Sequence, residues 1–154
     1  MEKQIKLNEE KTITLKSSAA TNILYKKLFR EDILVKLADY SKNYKELSKM
    51  QERIKDLRTD SSKTQEEILA EMSSCLESDA YKATNDFSTD TLPKLAYIMY
   101  IEANEKIDTI FSKLTEEHYL YWLLSIDQDD LFSITGEVMN IWKSGAKTSS
   151  HPKN

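Results

Sequence analysis

The stretch Leu92–Ala103, LPKLAYIMYIEA, is apolar on nearly every side when its residues are placed at helical spacing. A surface helix needs only one apolar stripe, whereas a helix that is apolar all round requires neighbours on most of its sides. The stretch is also too short to cross a bilayer, which takes about 20 residues. It therefore predicts the central helix of the fold, with Asp90 or Thr91 as N-cap and Pro93 in the first turn.

The composition of the chain favours helices around this centre. The chain has 154 residues, enough for one domain with a real core, but only two Gly and two Pro. So few helix breakers favour a helical protein over a sheet with many turns. The net charge of −4 argues against free nucleic acid as a ligand.

Two further features bear on the compartment of the protein. Cys75 is the single cysteine, so it forms no internal disulfide and suits a reducing cytoplasm. The N-terminal stretch MEKQIKLNEEK is charged and lacks an apolar core, so we expect no signal peptide, and no other stretch predicts a membrane segment.

The N-terminal part of the chain predicts a small β element. Within residues 3–16, Ile5 and Leu7 alternate with polar residues, and Ile13 and Leu15 do the same. Two short alternating runs joined by a polar segment are typical of a β-hairpin. The predicted fold class is therefore mainly α, a helical domain with a small N-terminal β-hairpin, at the margin of α+β.

The remaining segments predict helices and one loop. A helix is expected within residues 17–29 with Thr21 as N-cap, and a second begins near Glu31 or Asp32. Residues 78–90 are polar and aperiodic, which predicts a loop. Further helices are predicted at residues 64–77, after a Thr115 cap, and from Asp127 or Asp129 to a terminating Gly145.

A near-heptad stripe marks the second helix, with two interpretations left open. Either the helix packs on the core of its own chain, or the stripe is a seam for self-association. Residues 44–58 and 64–77 are compatible with an antiparallel helical hairpin. The stripe consists of Ile33, Leu37, Tyr40, Tyr44, Leu47, Met50, Ile54 and Leu57.

The domain assignment follows from these elements. Residues 1–145 are predicted to form a single helical domain, in which residues 44–77 are a possible projecting helical hairpin. Residues 146–154 contain no large apolar group that would anchor them, so they are predicted to form a disordered tail.

A search for chemistry finds no catalytic, cofactor or metal motif. His118 and His151 are the only histidines, they are far apart, and with one Cys there is no zinc spacing. Cys75 lies on an apolar helix face, which is typical of an inert packing residue. The acidic run Asp127–Asp130 lacks the pattern of a calcium loop and is explained by a helix N-terminus. In the absence of such motifs, the main feature of the sequence is apolar surface on predicted helices, which is typical of a protein that binds other proteins.

A small basic patch lies on the first predicted helix. Lys26, Lys27 and Arg30 lie beside Tyr25. Three positive charges in a chain of net negative charge are more typical of a solvated face, so no nucleic-acid partner is expected.

The two ends of the chain carry a recognisable pattern. In Ser17–Leu34, an Ala-Thr step precedes a Tyr, a Phe and an Asp-Ile pair, here Ala20, Thr21, Tyr25, Phe29, Asp32 and Ile33. The second stretch comprises the Leu95–Ala103 helix, Trp122 and the C-terminal IWKSGAKTSSHPKN. Together they resemble the tail assembly chaperones of long-tailed, siphovirus-type bacteriophages of Gram-positive bacteria.

The resemblance covers about half of the chain and has departures. Members often have Gly where this chain has Arg30, and Pro where it has Asn22. The middle, roughly residues 43–90, is longer than usual, so its role is not implied by the family.

The resemblance implies a non-enzymatic function. Such chaperones bind the helical tape measure protein, prevent its aggregation and help to recruit subunits of the major tail tube protein. They act in the cytoplasm of the host and are absent from the mature virion. Many also exist as a frameshifted longer form, and the codons CCA AAA AAC for residues 152–154 would contain the slippery run that this requires.

Three faces are candidates for partner binding, each with a structural alternative as core. They are one face of the first helix, the stripe on the second helix and the C-terminal pair, which is ranked first because a longer form would extend from it. The alternative functions are a helical self-associating adaptor and a small nucleic-acid-binding regulator. The candidate residues are Tyr25, Leu28, Phe29, Tyr44, Leu47, Ile141 and Trp142.

Overall fold

A computed structural model of the chain describes residues 1–8 and 10–150, with side chains for residues 1–7 and 10–144. It is mainly helical with a small antiparallel β-hairpin, which confirms the predicted fold class. In chain order the elements are β1 (Glu2–Asn8), β2 (Lys11–Lys16), α1 (Thr21–Phe29), α2 (Ile33–Thr59), α3 (Gln65–Glu77), α4 (Asp79–Asp86), a π-helical turn (Phe87–Thr91), α5 (Leu92–Asn104), a 3-10 turn (Ile110–Lys113), α6 (Glu116–Leu124) and α7 (Gln128–Ser150).

Contacts within the chain group the elements into two compact units. The terminal unit comprises Met1–Ile33 and the described residues from Asp90 onward, and the middle unit comprises Leu34–Thr89. The single domain over residues 1–145, with residues 44–77 projecting from it, stays a prediction.

The hairpin of the terminal unit places its buried apolar side chains on one face. Ile5 lies opposite Ile13 and Lys3 opposite Leu15, so these side chains share one face of the ribbon. Leu15 is fully buried, and β2 packs on α5 while β1 contacts α7. A two-stranded hairpin is marginal alone, and its buried face gains stability from these helices.

Helix α5 is the centre of the terminal unit, as its sequence predicts. Leu95, Ala96, Ile98 and Met99 have no exposed surface, and the helix contacts β2, α1, α6 and α7. Neighbours on most sides are what an all-round apolar helix requires.

The predicted cap of α5 is wrong, because the chain enters this helix from another one. Thr91 has helical dihedral angles and makes no capping hydrogen bond, while Asp90 forms an ion pair with Lys94 at 2.9 Å. The preceding π-helical turn already supplies backbone acceptors, so the first N–H groups of α5 need no side-chain cap. Pro93 lies in the first turn, as predicted.

Helix α7 closes the core of the terminal unit and is longer than predicted. Ile134, Val138 and Ile141 are fully buried at spacings of four and three residues. The helix continues through Gly145 to Ser150, so the predicted end is wrong. A single Gly costs a helix about 1 kcal/mol relative to Ala, which does not end it. The start of the predicted tail is thus helical, and residues 151–154 lie outside the described residues.

Thr21 is the first residue of α1 rather than its N-cap, which corrects the prediction. Ala20 precedes the helix and makes no side-chain capping bond. The Thr21 hydroxyl instead accepts a hydrogen bond from the Ser18 N–H at 2.9 Å and donates one to Glu102 Oε2 at 2.7 Å. A buried tertiary hydrogen bond has taken the place of the local cap.

In the middle unit, α2 and α3 lie side by side and run antiparallel. Leu47 packs with Cys75 and Ala80, while Arg58, a little over ten residues further along α2, contacts the sulfur of Met72 at 3.4 Å. Cys75 is buried in this cluster, which confirms its interpretation as a packing residue.

The loop predicted over residues 78–90 is wrong, since this segment is helical. Ser78 caps α4 by accepting a hydrogen bond from the Tyr81 N–H at 3.1 Å. Ala80 and Phe87 are both buried, and the Phe87 ring stacks on Tyr40 with centroids 4.2 Å apart. The helical period was present, but apart from Phe87 its inner positions, such as Ala80, Ala83 and Thr84, are small or polar residues that give little hydrophobic signal.

Candidate functional site

Most of the predicted partner-binding side chains belong to the core of the terminal unit. Tyr25 and Ile141 have no exposed surface, and Leu28 and Trp142 are also buried. Their apolar surface is occupied by packing within the chain, so in this structure they offer no contact to a partner. Their role in partner binding stays a prediction that requires the unit to open.

Specific hydrogen bonds hold two of these aromatic residues in the core. The Tyr25 hydroxyl donates to Glu31 Oε2 at 3.0 Å, and the Trp142 indole N–H donates to Asn22 Oδ1 at 2.8 Å. Burial, together with the nearby Glu31 carboxylate, raises the pKa of Tyr25 well above its ordinary value of 10.0. Tyr25 therefore stays neutral and acts as a structural donor.

Phe29 is half-buried in an aromatic cluster that joins three helices. Its ring centroid lies 5.2 Å from that of Tyr25 and 5.1 Å from that of Tyr119, and Tyr119 lies 5.5 Å from Tyr97 of α5. Burial raises the pKa of Tyr97 to about 12, and its hydroxyl donates to the Lys113 carbonyl at 2.6 Å. The cluster ties α1 and α6 to the central helix.

The two predicted site residues on α2 differ in exposure. Tyr44 is 52% exposed, whereas Leu47 is 7% exposed and packs in the core cluster of the middle unit. Tyr44 is thus the predicted site residue that offers the most surface to a partner.

The terminal unit carries a groove of about 530 Å³, which we call the terminal groove. It lies between the start of α1, the end of α5 and the 3-10 turn that follows α5. Its apolar lining consists of Ala20, Leu24, Ala103, Ile107, Ile110 and Phe111.

The apolar end of the terminal groove is open to solvent. Ile107 is 87% exposed and Phe111 59%, and the Lys27 ammonium lies 4.9 Å from the centroid of the Phe111 ring. Large side chains exposed together on a soluble surface are typical of a site that binds another protein.

The polar end of the terminal groove is built around Glu102. Its two carboxylate oxygens accept hydrogen bonds from the hydroxyls of Ser18 and Thr21. Burial raises the pKa of Glu102, and the two hydroxyl donors partly oppose this rise. The carboxylate is thus committed to joining α5 to the segment before α1, and the groove combines one fixed polar end with an apolar wall.

The middle unit carries a second groove of about 340 Å³, which we call the middle groove. It lies on one side of the α2–α3 hairpin. Its lining is mainly apolar, with charged side chains on the α2 edge and one residue from α4: Gln51, Ile54, Lys55, Arg58, Met72, Cys75, Leu76 and Tyr81.

In the part of the chain that the structure describes, no group of His, Cys, Asp or Glu side chains is arranged to hold a metal ion. His118 is half-buried at the start of α6, where its N–H and its ring nitrogen Nδ1 both contact the Thr115 hydroxyl. This bears out the predicted Thr115 cap and gives His118 a structural position.

The terminal groove could not be identified from the sequence, because the sequence does not show which apolar side chains are exposed in the folded protein. Ile107, Ile110 and Phe111 stand out in the sequence only as a continuation of the apolar run after α5. The chain leaves the helix at Asn104, and this turn brings Ile107 and Phe111 to the surface beside α1. The direction of a chain after a helix end is set by tertiary packing.

Comparisons of the chain with protein-family models, curated proteins and solved structures gave no match. Within the described residues, no helix has the length and apolar character needed to cross a membrane.

Proposed function

We propose that this chain is a phage tail assembly chaperone that binds the tape measure protein, prevents its aggregation and helps to recruit tail tube subunits. The observation that carries the proposal concerns the two stretches on which the resemblance rests. They are separated in sequence, yet the described residues of both, apart from Leu34, belong to one compact unit, while Leu34–Thr89, which includes most of the longer middle, forms a unit of its own.

Residues that carry the resemblance form hydrogen bonds between segments of the terminal unit, which supports the proposal. Thr21 bonds Glu102 of α5, and Tyr25 bonds Glu31. Trp142, in the last stretch, donates its indole N–H to Asn22, a position where this chain departs from the family, and this bond links the two stretches directly. If family members share these residues for structural reasons, the residues are expected to make such connections between segments.

The conformation of Arg30 is a further point in favour. Its dihedral angles of φ 59° and ψ 28° are left-handed, the region that glycine adopts without steric cost. The chaperone family often has Gly at this place. Arg30 thus occupies a backbone conformation that suits the family residue.

The terminal groove is the surface that we assign to the client. An amphipathic helix docks by inserting apolar anchors at positions i, i+3, i+4 and i+7 into an apolar groove. Ile107 and Phe111 provide exposed apolar area at the open end of the groove. The tape measure protein is mostly helical and exposes apolar surface before assembly, so its segments match this site.

The proposal has further parts that follow from the same family. The protein acts by binding, without catalysis, in the host cytoplasm and does not remain in the mature virion. A frameshifted longer form would extend from the C-terminal end, and the major tail tube protein is a further partner. A DNA sequence without a slippery run at the codons for residues 152–154 would contradict this last part.

The proposal is tested by co-expressing this chain, carrying a tag, with the large protein encoded just downstream. We expect the downstream protein to be insoluble alone and to be purified in soluble form with the tagged chain. Equal solubility without this chain, and no co-purification, would refute the chaperone function.

Matched variants locate the binding site on the same assay. Ile107→Asp and Phe111→Asp alter the terminal groove, whereas Leu124→Asp alters an apolar side chain on α6 that is 83% exposed and does not line the groove. We expect the first two variants to lose the client and the third to retain it. Circular dichroism checks that all three remain folded, as expected for exposed positions.

A further inference from the structure

We infer that two copies of this chain associate through the middle groove, with α2 of one copy lying over α3 of the other. This inference goes beyond the proposed chaperone function and does not depend on it, because the groove lies wholly within the middle unit. Three observations carry it: a thin core, an exposed apolar stripe and two charged edges of opposite sign.

The core of the middle unit is thin for its length. Among its described residues, the buried hydrophobic side chains are Leu47, Cys75, Ala80 and Phe87, while Met50 and Ile54 are only partly covered. Helices in water gain most of their stability from tertiary packing of an apolar face. A long hairpin with so little buried surface has apolar area left for a further layer of helices.

The uncovered area forms a stripe along α3. Leu69, Met72 and Leu76 are spaced by three and four residues, so they lie on one side of the helix. Leu69 and Leu76 are each 55% exposed, and Met72 and Leu76 line the middle groove together with Ile54 of α2. This arrangement is an apolar seam that is covered on one side only.

The two edges of the seam carry opposite charges. On the α2 side, Lys55 and Arg58 line the groove. On the far side of the stripe, helical spacing places Glu66 and Glu77 further round α3, away from α2. Every charged residue of α3 is acidic, whereas residues 44–59 of α2 contain more basic than acidic side chains.

The basic edge, the apolar stripe and the acidic edge together form a surface that is complementary to itself under two-fold symmetry. A two-fold axis through the seam places the apolar stripes of two copies against each other. The same operation brings the basic edge of each copy over the acidic edge of the other. A second copy therefore satisfies both the apolar and the charged parts of the surface, and it completes a bundle of four helices.

The test is sedimentation of the 154-residue chain and of charge-reversed variants. We expect the wild type to be a dimer that dissociates on dilution. In Lys55→Glu/Arg58→Glu both edges are acidic, and in Glu66→Lys/Glu77→Lys both are basic. Because like charges then face each other twice, we expect each variant to dimerise about 100-fold more weakly.

The most informative measurement is sedimentation of a mixture of the two variants. The acidic edges of one variant face the basic edges of the other, so we expect an equimolar mixture to recover the dimer. A combined variant with all four substitutions should recover it as well. General damage to the fold would not be repaired by mixing, which separates this result from misfolding.

An apolar pair of variants supplies the matched control. Leu76→Glu places a charge in the seam, whereas Leu124→Glu places the same charge at an exposed position on α6 of the terminal unit. We expect dimerisation to be lost in the first and kept in the second. Monomeric wild type at all concentrations, or a dimer that is insensitive to the charge reversals, would overturn the inference. If the wild type is a monomer and Leu76→Glu no longer captures the client, the middle groove is a binding site for the client instead.

Discussion

Replacing Arg30 by glycine is expected to stabilise the protein, although the change removes a whole side chain. Arg30 ends α1 with a left-handed backbone, and its N–H donates to the Lys26 carbonyl at 2.9 Å. In this conformation the Cβ of any L-residue approaches the following carbonyl oxygen, at a cost of about 1–2 kcal/mol. The Arg30 side chain is exposed, so its removal leaves no cavity.

The magnitude follows from two opposing terms. Glycine removes the steric cost, but it also makes the unfolded chain more flexible, which offsets about 0.5–1 kcal/mol of the gain. We therefore expect Arg30→Gly to raise the free energy of unfolding by about 0.5–1 kcal/mol. For a chain of this length the midpoint of thermal unfolding should rise by about 1–4 °C.

Tryptophan fluorescence during urea unfolding is the suitable assay, since Trp122 and Trp142 both lie in the terminal unit with Arg30. Two matched variants separate the terms. Arg30→Ala keeps the Cβ and should leave the stability unchanged, whereas Lys26→Gly, inside α1, should cost about 1 kcal/mol. If Arg30→Gly proved neutral or destabilising while Arg30→Ala had no effect, the left-handed conformation would carry no strain and the reasoning would be refuted.

Three further predictions concern the core of the terminal unit. The raised pKa of Glu102 means that the folded protein binds the proton of this carboxyl group more tightly than the unfolded chain does. The free energy of unfolding of the wild type, relative to that of Glu102→Gln, should therefore fall as the pH rises from about the ordinary pKa of 4.5. A difference in stability between the two proteins that stays constant from about pH 4 to 7 would contradict this. Ile98→Ala should lower the free energy of unfolding by about 3–4 kcal/mol in urea titrations, against less than about 0.5 kcal/mol for the exposed Leu124→Ala; similar losses would argue against a central α5. A double-mutant cycle of Trp142→Phe and Asn22→Ala should give a coupling energy of about 1 kcal/mol, and additive losses would show that their hydrogen bond contributes nothing.

Local patterns identified the elements whose signals are strong. The alternation in residues 3–16 and the all-round apolar stretch at Leu92–Ala103 each have one structural solution, so the hairpin and the central helix were predictable. The Thr115 cap was predictable for the same reason, because its hydroxyl satisfies an N–H three residues away. Errors occurred at Thr21 and in residues 78–90, where a tertiary hydrogen bond replaced a cap and small residues hid a helical period.

The candidate sites were less predictable than the fold. Tyr25, Leu28 and Trp142 have the composition of a binding face, but an apolar helix face looks the same in sequence whether it meets a partner or its own core. The structure buries these residues and exposes Ile107 and Phe111 instead.

The sequence by itself determined most of the helices, the pairing of the two strands and the identity of the central helix, because these depend on the spacing of residues along the chain. Only the tertiary structure decided which apolar faces are covered and which remain open. That choice depends on which elements lie next to one another after chain turns such as the one beyond Asn104. Coverage is a property of neighbours in space, and the sequence records neighbours only along the chain.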